Sequence, residues 1–91
     1  MTEARKAIEG LLTEGHSNRE IFEDQIIRVR EVGNPKRGES AKRYALHIHN
    51  STVGSYIRRS VNQGNPEALA ASDIRWDLQH GFIEILDKEI L

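Results

Sequence analysis

The residues most open to a chemical reading lie on one short stretch, Asn50-Ser51-Thr52-Val53-Gly54-Ser55-Tyr56-Ile57-Arg58-Arg59-Ser60-Val61-Asn62. At helical spacing Val53, Ile57 and Val61 recur every fourth residue, with Tyr56 and Ser60 beside them, so one side suits a core. Thr52, Ser55, Arg58, Arg59 and Asn62 fall on the other side, and no acid stands among them. Hydroxyl and amide groups flanking two guanidinium groups suit phosphate oxygens and base edges. An ordinary solvated helix would carry the same residues, so the weight of this reading rests on the rest of the chain. Asn50 or Ser51 is the expected N-cap.

A second basic set precedes it. Lys36, Arg37, Lys42 and Arg43 stand close to Gly33, Gly38 and Pro35. A basic loop of this kind can follow a phosphate backbone, although loops of this composition are more often merely solvated. His47 and His49 form a His-x-His pair that a strand would point to one face, as a metal site requires. His16 and His80 have no spacing that recruits them, so exposed histidines are the simpler reading and no metal is expected. Asp73 and Asp77 lie four apart on a helix with Arg75 between them, which reads as a solvated face. Trp76, a single aromatic at helical spacing, reads as core. With no cysteine, and with glycines outside any strand–helix phosphate loop, no catalytic residue and no cofactor is expected.

The net charge of −1 hides a segregation. From Arg28 to Arg59 there are eight basic and two acidic residues, a balance of +6, and the remaining residues carry five basic and twelve acidic, a balance of −7. Coulomb interactions fade over about 10 Å at moderate salt, so the local patch decides affinity for phosphate. A basic middle between acidic ends fits a one-sided DNA binder. It fits equally well internal pairing between the middle and the ends. Interleaved aromatics for stacking on RNA bases are lacking. The chain has 91 residues, which suits one small domain, 1–91, with a small core. No apolar run approaches the roughly 20 residues that span a bilayer, and the first residues lack a secretory pattern, so a cytoplasmic protein without a membrane partner is expected.

The elements that must position these residues follow from periodicity and punctuation. Ala4, Ala7, Ile8, Leu11 and Leu12 predict a helix over 2–14, with Gly15 at its end. Ser17-Asn18-Arg19-Glu20 reads as a capping box that opens a helix over about 17–30. Residues 28–32 stay open, because Ile26-Ile27-Arg28-Val29-Arg30-Glu31-Val32 also reads as a strand. Arg43 to His49 alternates, with Tyr44, Leu46 and Ile48 on one side, and predicts a strand over 43–49. The helix around Ser51 spans 51–63. Gln63-Gly64-Asn65-Pro66 breaks the chain, and Pro66 at the first helical position opens a helix over 66–80. Gly81 closes it, and a strand over 82–86 is expected to pair with 43–49.

Leu11-Leu12-Thr13-Glu14-Gly15-His16-Ser17-Asn18-Arg19-Glu20-Ile21 resembles a phrase common in bacterial and phage helix-turn-helix domains. The resemblance covers about eleven residues. About thirty residues then separate Ser17 from the Ser51 helix, which departs from the many members that place the recognition helix directly after a short second helix. The resemblance implies a mainly α fold with a minor β element, winged or three-helix in type. It implies sequence-specific binding of double-stranded DNA, as in a small transcriptional regulator or a phage or plasmid factor, and no enzyme. Thr52, Ser55, Arg58, Arg59 and Asn62 would enter the groove, with Lys36, Arg37, Lys42 and Arg43 on the backbone, and a homodimer would supply two half-sites. The principal rival is a protein-interaction module, an adaptor or inhibitor of a larger machine, using the acidic C-terminal helix with Trp76 and Asp77. A metal-dependent nuclease through His47 and His49 ranks third.

Overall fold

Ile26-Ile27-Arg28-Val29 is the middle strand of a sheet, and the other elements are arranged about it. The computed structural model describes Ala7, Ile8 and residues 20–88. In chain order these hold β1 (Ile26–Val29), α1 (Gly38–Tyr44), β2 (Ser51–Thr52), α2 (Val53–Asn62), α3 (Glu67–Gln79) and β3 (Ile83–Leu86). The sheet order is β2-β1-β3, and both pairings are antiparallel. Ile27 stands opposite Ile85 and Val29 opposite Ile83, so these side chains share one face. Arg28 and Glu84 lie opposite each other on the other face, where Arg28 is exposed. β-Branched residues suit a pleated surface buried on one side.

Helices α2 and α3 pack on each other and complete the core. Val53, Tyr56 and Ile57 from α2 join Ala70, Ala71 and Ile74 from α3 and Ile27, Ile83 and Ile85 from the sheet. Ile8 and Ile21 enter the same core, joined by a 2.8 Å bond from the Ile8 N–H to the Ile21 carbonyl. The three helices and three antiparallel strands form one compact domain. Among the described residues no helix is long and apolar enough to cross a membrane.

Helices α2 and α3 and strand β3 fall within one or two residues of the expected 51–63, 66–80 and 82–86. Thr52, rather than Asn50 or Ser51, caps α2, its Oγ1 accepting from the Ser55 N–H at 3.1 Å. Pro66 sits at the cap position of α3 and not inside its first turn.

Three expectations are corrected. The helix over 17–30 does not form across residues 20–30, because 26–29 is strand and 20–25 is irregular. There the β-branched content outweighed the apparent capping signal, and Gln25 folds its Oε1 back onto the Phe22 N–H. The strand over 43–49 is likewise absent. α1 runs to Tyr44 and turns follow, with the N–H groups of Ala45, Leu46 and His47 bonding back to Ala41, Arg43 and Tyr44. Glu39, Ala41, Lys42 and Arg43 are good helix formers, and Asn50 at φ +68° closes the turn into β2. β3 therefore pairs with β1, not with residues 43–49. Finally, the helix over 2–14 does not run through Ala7, which forms an isolated antiparallel bridge with Phe22. The remainder of that helix, Ser17 and most of the Leu11–Ile21 phrase lie outside the described residues.

Candidate nucleic-acid interface

The nine residues proposed for DNA divide into two groups. Four are committed inside the fold. The Lys36 ammonium pairs with the Asp77 carboxylate, both side chains being buried (9% and 0% exposed). Arg43 forks onto Asp73, with its Nε 2.6 Å from Oδ2 and Nη2 3.4 Å from Oδ1. That bond to Asp73 raises the Arg43 pKa against a smaller opposing effect of burial. Arg59 turns back along α2. Its Nε donates to the Leu46 carbonyl at 2.8 Å and its Nη2 to Ser51 Oγ at 3.2 Å. Burial lowers its pKa, since the charge is partly removed from water. Thr52 is the α2 cap, as described above.

The other five keep an open aspect. Arg58 and Asn62 are exposed on α2, and Ser55 is half-buried one turn earlier. Arg37 is exposed just before α1. Lys42 is exposed on α1, where its contact with Glu39 at 3.2 Å is a surface pair with both side chains over three-quarters exposed. Such pairs exchange readily with water and with phosphate. Lys42 also borders a small cleft whose other wall is Gln63 and Asn65, just past the end of α2. On the other flank of α2, the site of an added Gly54 Cβ lies 3.4 Å from Arg58 Nη1 and 3.1 Å from Glu23 Oε1.

The acids of α3 are what sequence reading missed. Asp73 and Asp77 are buried, not solvated. They stand at i+3 and i+7 from Ala70, with Ile74 between, so they lie on the apolar stripe of the helix. That register was the available signal. Asp77 also meets His47, whose Nε2 lies 2.8 Å from Oδ2. The His47 imidazole is 1% exposed, stacks on Tyr56 at 4.2 Å and meets Tyr44 edge-on at 5.1 Å. Burial, with Asp77 and Glu31 nearby, pushes the Tyr44 phenol up to about 12. Burial, with Asp73 and Asp77 nearby, raises Tyr56 further.

His47 and His49 border one cleft but are held by different elements. His49 Nδ1 accepts from the Val29 N–H at 3.0 Å, bound to the sheet while His47 is bound to α3. Among the described residues no group of three or more His, Cys, Asp or Glu could hold a metal ion. Trp76 departs from its expected core position, being 45% exposed. Its indole stacks on His80 at 4.0 Å, and the pair borders a groove of about 530 Å³ with Pro35, Ser40, Leu69 and Ser72. Compared with known proteins, the chain matches no protein-family model, no curated protein and no solved structure.

Proposed function

We propose that this protein binds double-stranded DNA through the unit made by α2, the turn at residues 63–66 and α3. One observation carries the reading. Two packed helices are joined by a tight turn and lead directly into a strand of an antiparallel sheet, the order in which helix-turn-helix binders with a wing are built. The unit lies further along the chain than the Leu11–Ile21 phrase suggested. Arg58 and Asn62 are exposed on its first helix.

Pairing of Lys36 and Arg43 with buried acids trims the electrostatic footprint, and Arg59, still charged, is tied to the Leu46 carbonyl and Ser51. Arg37, Lys42 and Arg58 are the exposed cations left in the candidate set. Each neutralised phosphate contributes about 0.9 to the salt slope, so three contacts give a slope near −3 in log affinity against log salt. Fluorescence anisotropy with labelled random duplex across a salt series reads this directly. Joint replacement of Arg37, Lys42 and Arg58 by alanine should flatten the slope. Absence of binding at low salt refutes the reading and favours the protein-interaction module. That rival keeps Trp76 as a contact but loses Asp77, which is fully buried.

A further inference from the structure

We infer that the segment at residues 45–50 is an acid-sensitive clasp: His49 and His47 hold it on β1 and α3 as neutral rings, and proton uptake by these rings releases it. The inference is independent of the DNA-binding reading.

β2 begins at Ser51, opposite Ile27, and the same antiparallel register sets His49 opposite Val29. The backbone has left that line, because Asn50 sits at φ +68°. The imidazole takes the rung instead. Its Nδ1 accepts from the Val29 N–H at 3.0 Å, so that nitrogen carries no proton. Proton uptake occurs at this same nitrogen and sets one N–H donor against another. The rung is then lost. Beside it, the Asn50 N–H donates to the Ile27 carbonyl at 2.8 Å.

His47 is constrained in the complementary way. Its Nε2 lies 2.8 Å from Asp77 Oδ2, and a carboxylate only accepts, so Nε2 carries the proton. Its Nδ1 is buried with no hydrogen-bond partner among the described residues. A bare acceptor there costs less than a bare charged donor. Tyr44 meets the ring edge-on at 5.1 Å and Tyr56 stacks on it at 4.2 Å. Asp77 faces Nε2 and is already paired with Lys36, so it does not receive a proton on Nδ1. Opening the segment to water accommodates that proton.

The remaining charges do not oppose release. Glu31 lines the cleft shared by Tyr44, His47 and His49, but it is exposed, so water screens its pull on a charged ring. Of the cations around Val29, Arg28 lies on the other face of the sheet and Arg30 pairs with Glu84. From α2, Arg59 donates to the Leu46 carbonyl of the same segment, so release reaches α2. Histidine changes charge between about pH 5 and 8. The clasp is complete at neutral pH and is lost as pH falls through that range.

The test follows amide hydrogen exchange of the full chain by NMR at about pH 7.5 and about pH 5, each rate corrected for intrinsic exchange. Protection of the Val29 N–H should fall about tenfold in acid, the weight of one hydrogen bond, and that of Asn50 should fall with it. Ile74, in the core, should keep its protection. His49→Asn supplies an acceptor that does not titrate, and His47→Gln supplies a donor that does not titrate. The double variant should hold Val29 and Asn50 within about twofold across the two conditions.

Equal loss in wild type and double variant overturns the inference and places the acid response elsewhere. Unchanged protection of wild-type Val29 in acid also overturns it, as does equal loss at Ile74, which marks global unfolding. The imidazole nitrogen resonances of the wild type give a check that needs no variant. His49 Nδ1 should gain its proton over the range in which Val29 loses protection, and loss of protection without that proton overturns the inference.

Discussion

Asp77 illustrates how one side chain can decide the character of a surface. Its carboxylate is fully buried and meets Lys36 on one oxygen and His47 on the other. Removing one member of a buried ion pair leaves its partners desolvated without compensation, at a cost of about 3–5 kcal/mol. Asp77→Asn is expected to lower stability by about 3 kcal/mol in urea unfolding, whereas Lys42→Ala, which breaks only a surface pair, should stay within about 0.5 kcal/mol. Equal small effects would show that the buried pair contributes little.

The same residue marks the limit of what was legible. The segregation of charge into a basic middle and acidic flanks was plain, and internal pairing was one of its two readings. Which cations were consumed was not legible, because pairing across thirty or forty residues depends on the tertiary approach of α3 to the loop before α1. Asp73 and Asp77 carried a local signal in their register with Ala70 and Ile74. Polar character outweighed that signal.

At the scale of elements, neighbouring arginines have opposite duties. Arg58 is exposed, while Arg59 fastens the turn after α1 to α2 through the Leu46 carbonyl and Ser51. Arg59→Ala should therefore destabilise the fold by about 1.5–3 kcal/mol, the worth of hydrogen bonds from a charged donor. Arg58→Ala should leave the unfolding midpoint nearly unchanged and weaken DNA binding. Urea titrations of the two variants beside the wild type separate these duties, and a reversed order of stability would refute the assignment.

α2, α3 and β3 were legible because periodicity, punctuation and burial agree there. β1 was open between two states, since Ile26 to Val29 is too short for period alone to separate a strand from a buried helical turn. The alternation of Tyr44, Leu46 and Ile48 misled for a related reason. Tyr44 is buried at the end of α1, Leu46 packs from a turn and Ile48 is 53% exposed, so an alternation existed without a strand beneath it.

For the whole molecule, Tyr44 is a tie between distant segments. Its hydroxyl donates to the Glu31 carbonyl at 2.6 Å and lies 3.3 Å from the Phe82 carbonyl, joining the end of α1 to the segments that follow β1 and precede β3. Its folded pKa of about 12 lies above the ordinary 10. Between those values the unfolded chain has released the proton and the folded chain retains it, so stability is present below pH 10 and falls as pH rises towards 12. Tyr44→Phe loses the hydrogen bonds at neutral pH but escapes this decline. The gap in stability between wild type and variant should narrow above pH 10 in urea titrations at pH 8, 10 and 11. A constant gap would contradict the tie.

The position of β1 at the centre of the sheet has a consequence in time. β1 is made first, yet its partners β2 and β3 lie about 25 and 57 residues further along the chain. Closing loops of that length costs entropy before any strand pairing repays it. During synthesis the helical pair α2 and α3 is complete while the surface formed by Ile27 and Val29 still awaits Ile83 and Ile85. A nascent chain halted before Ile83 would hold the proposed DNA-contacting helices without the strand that closes the core beneath them. Closure of the core therefore waits on β3, the last of the described strands to be made.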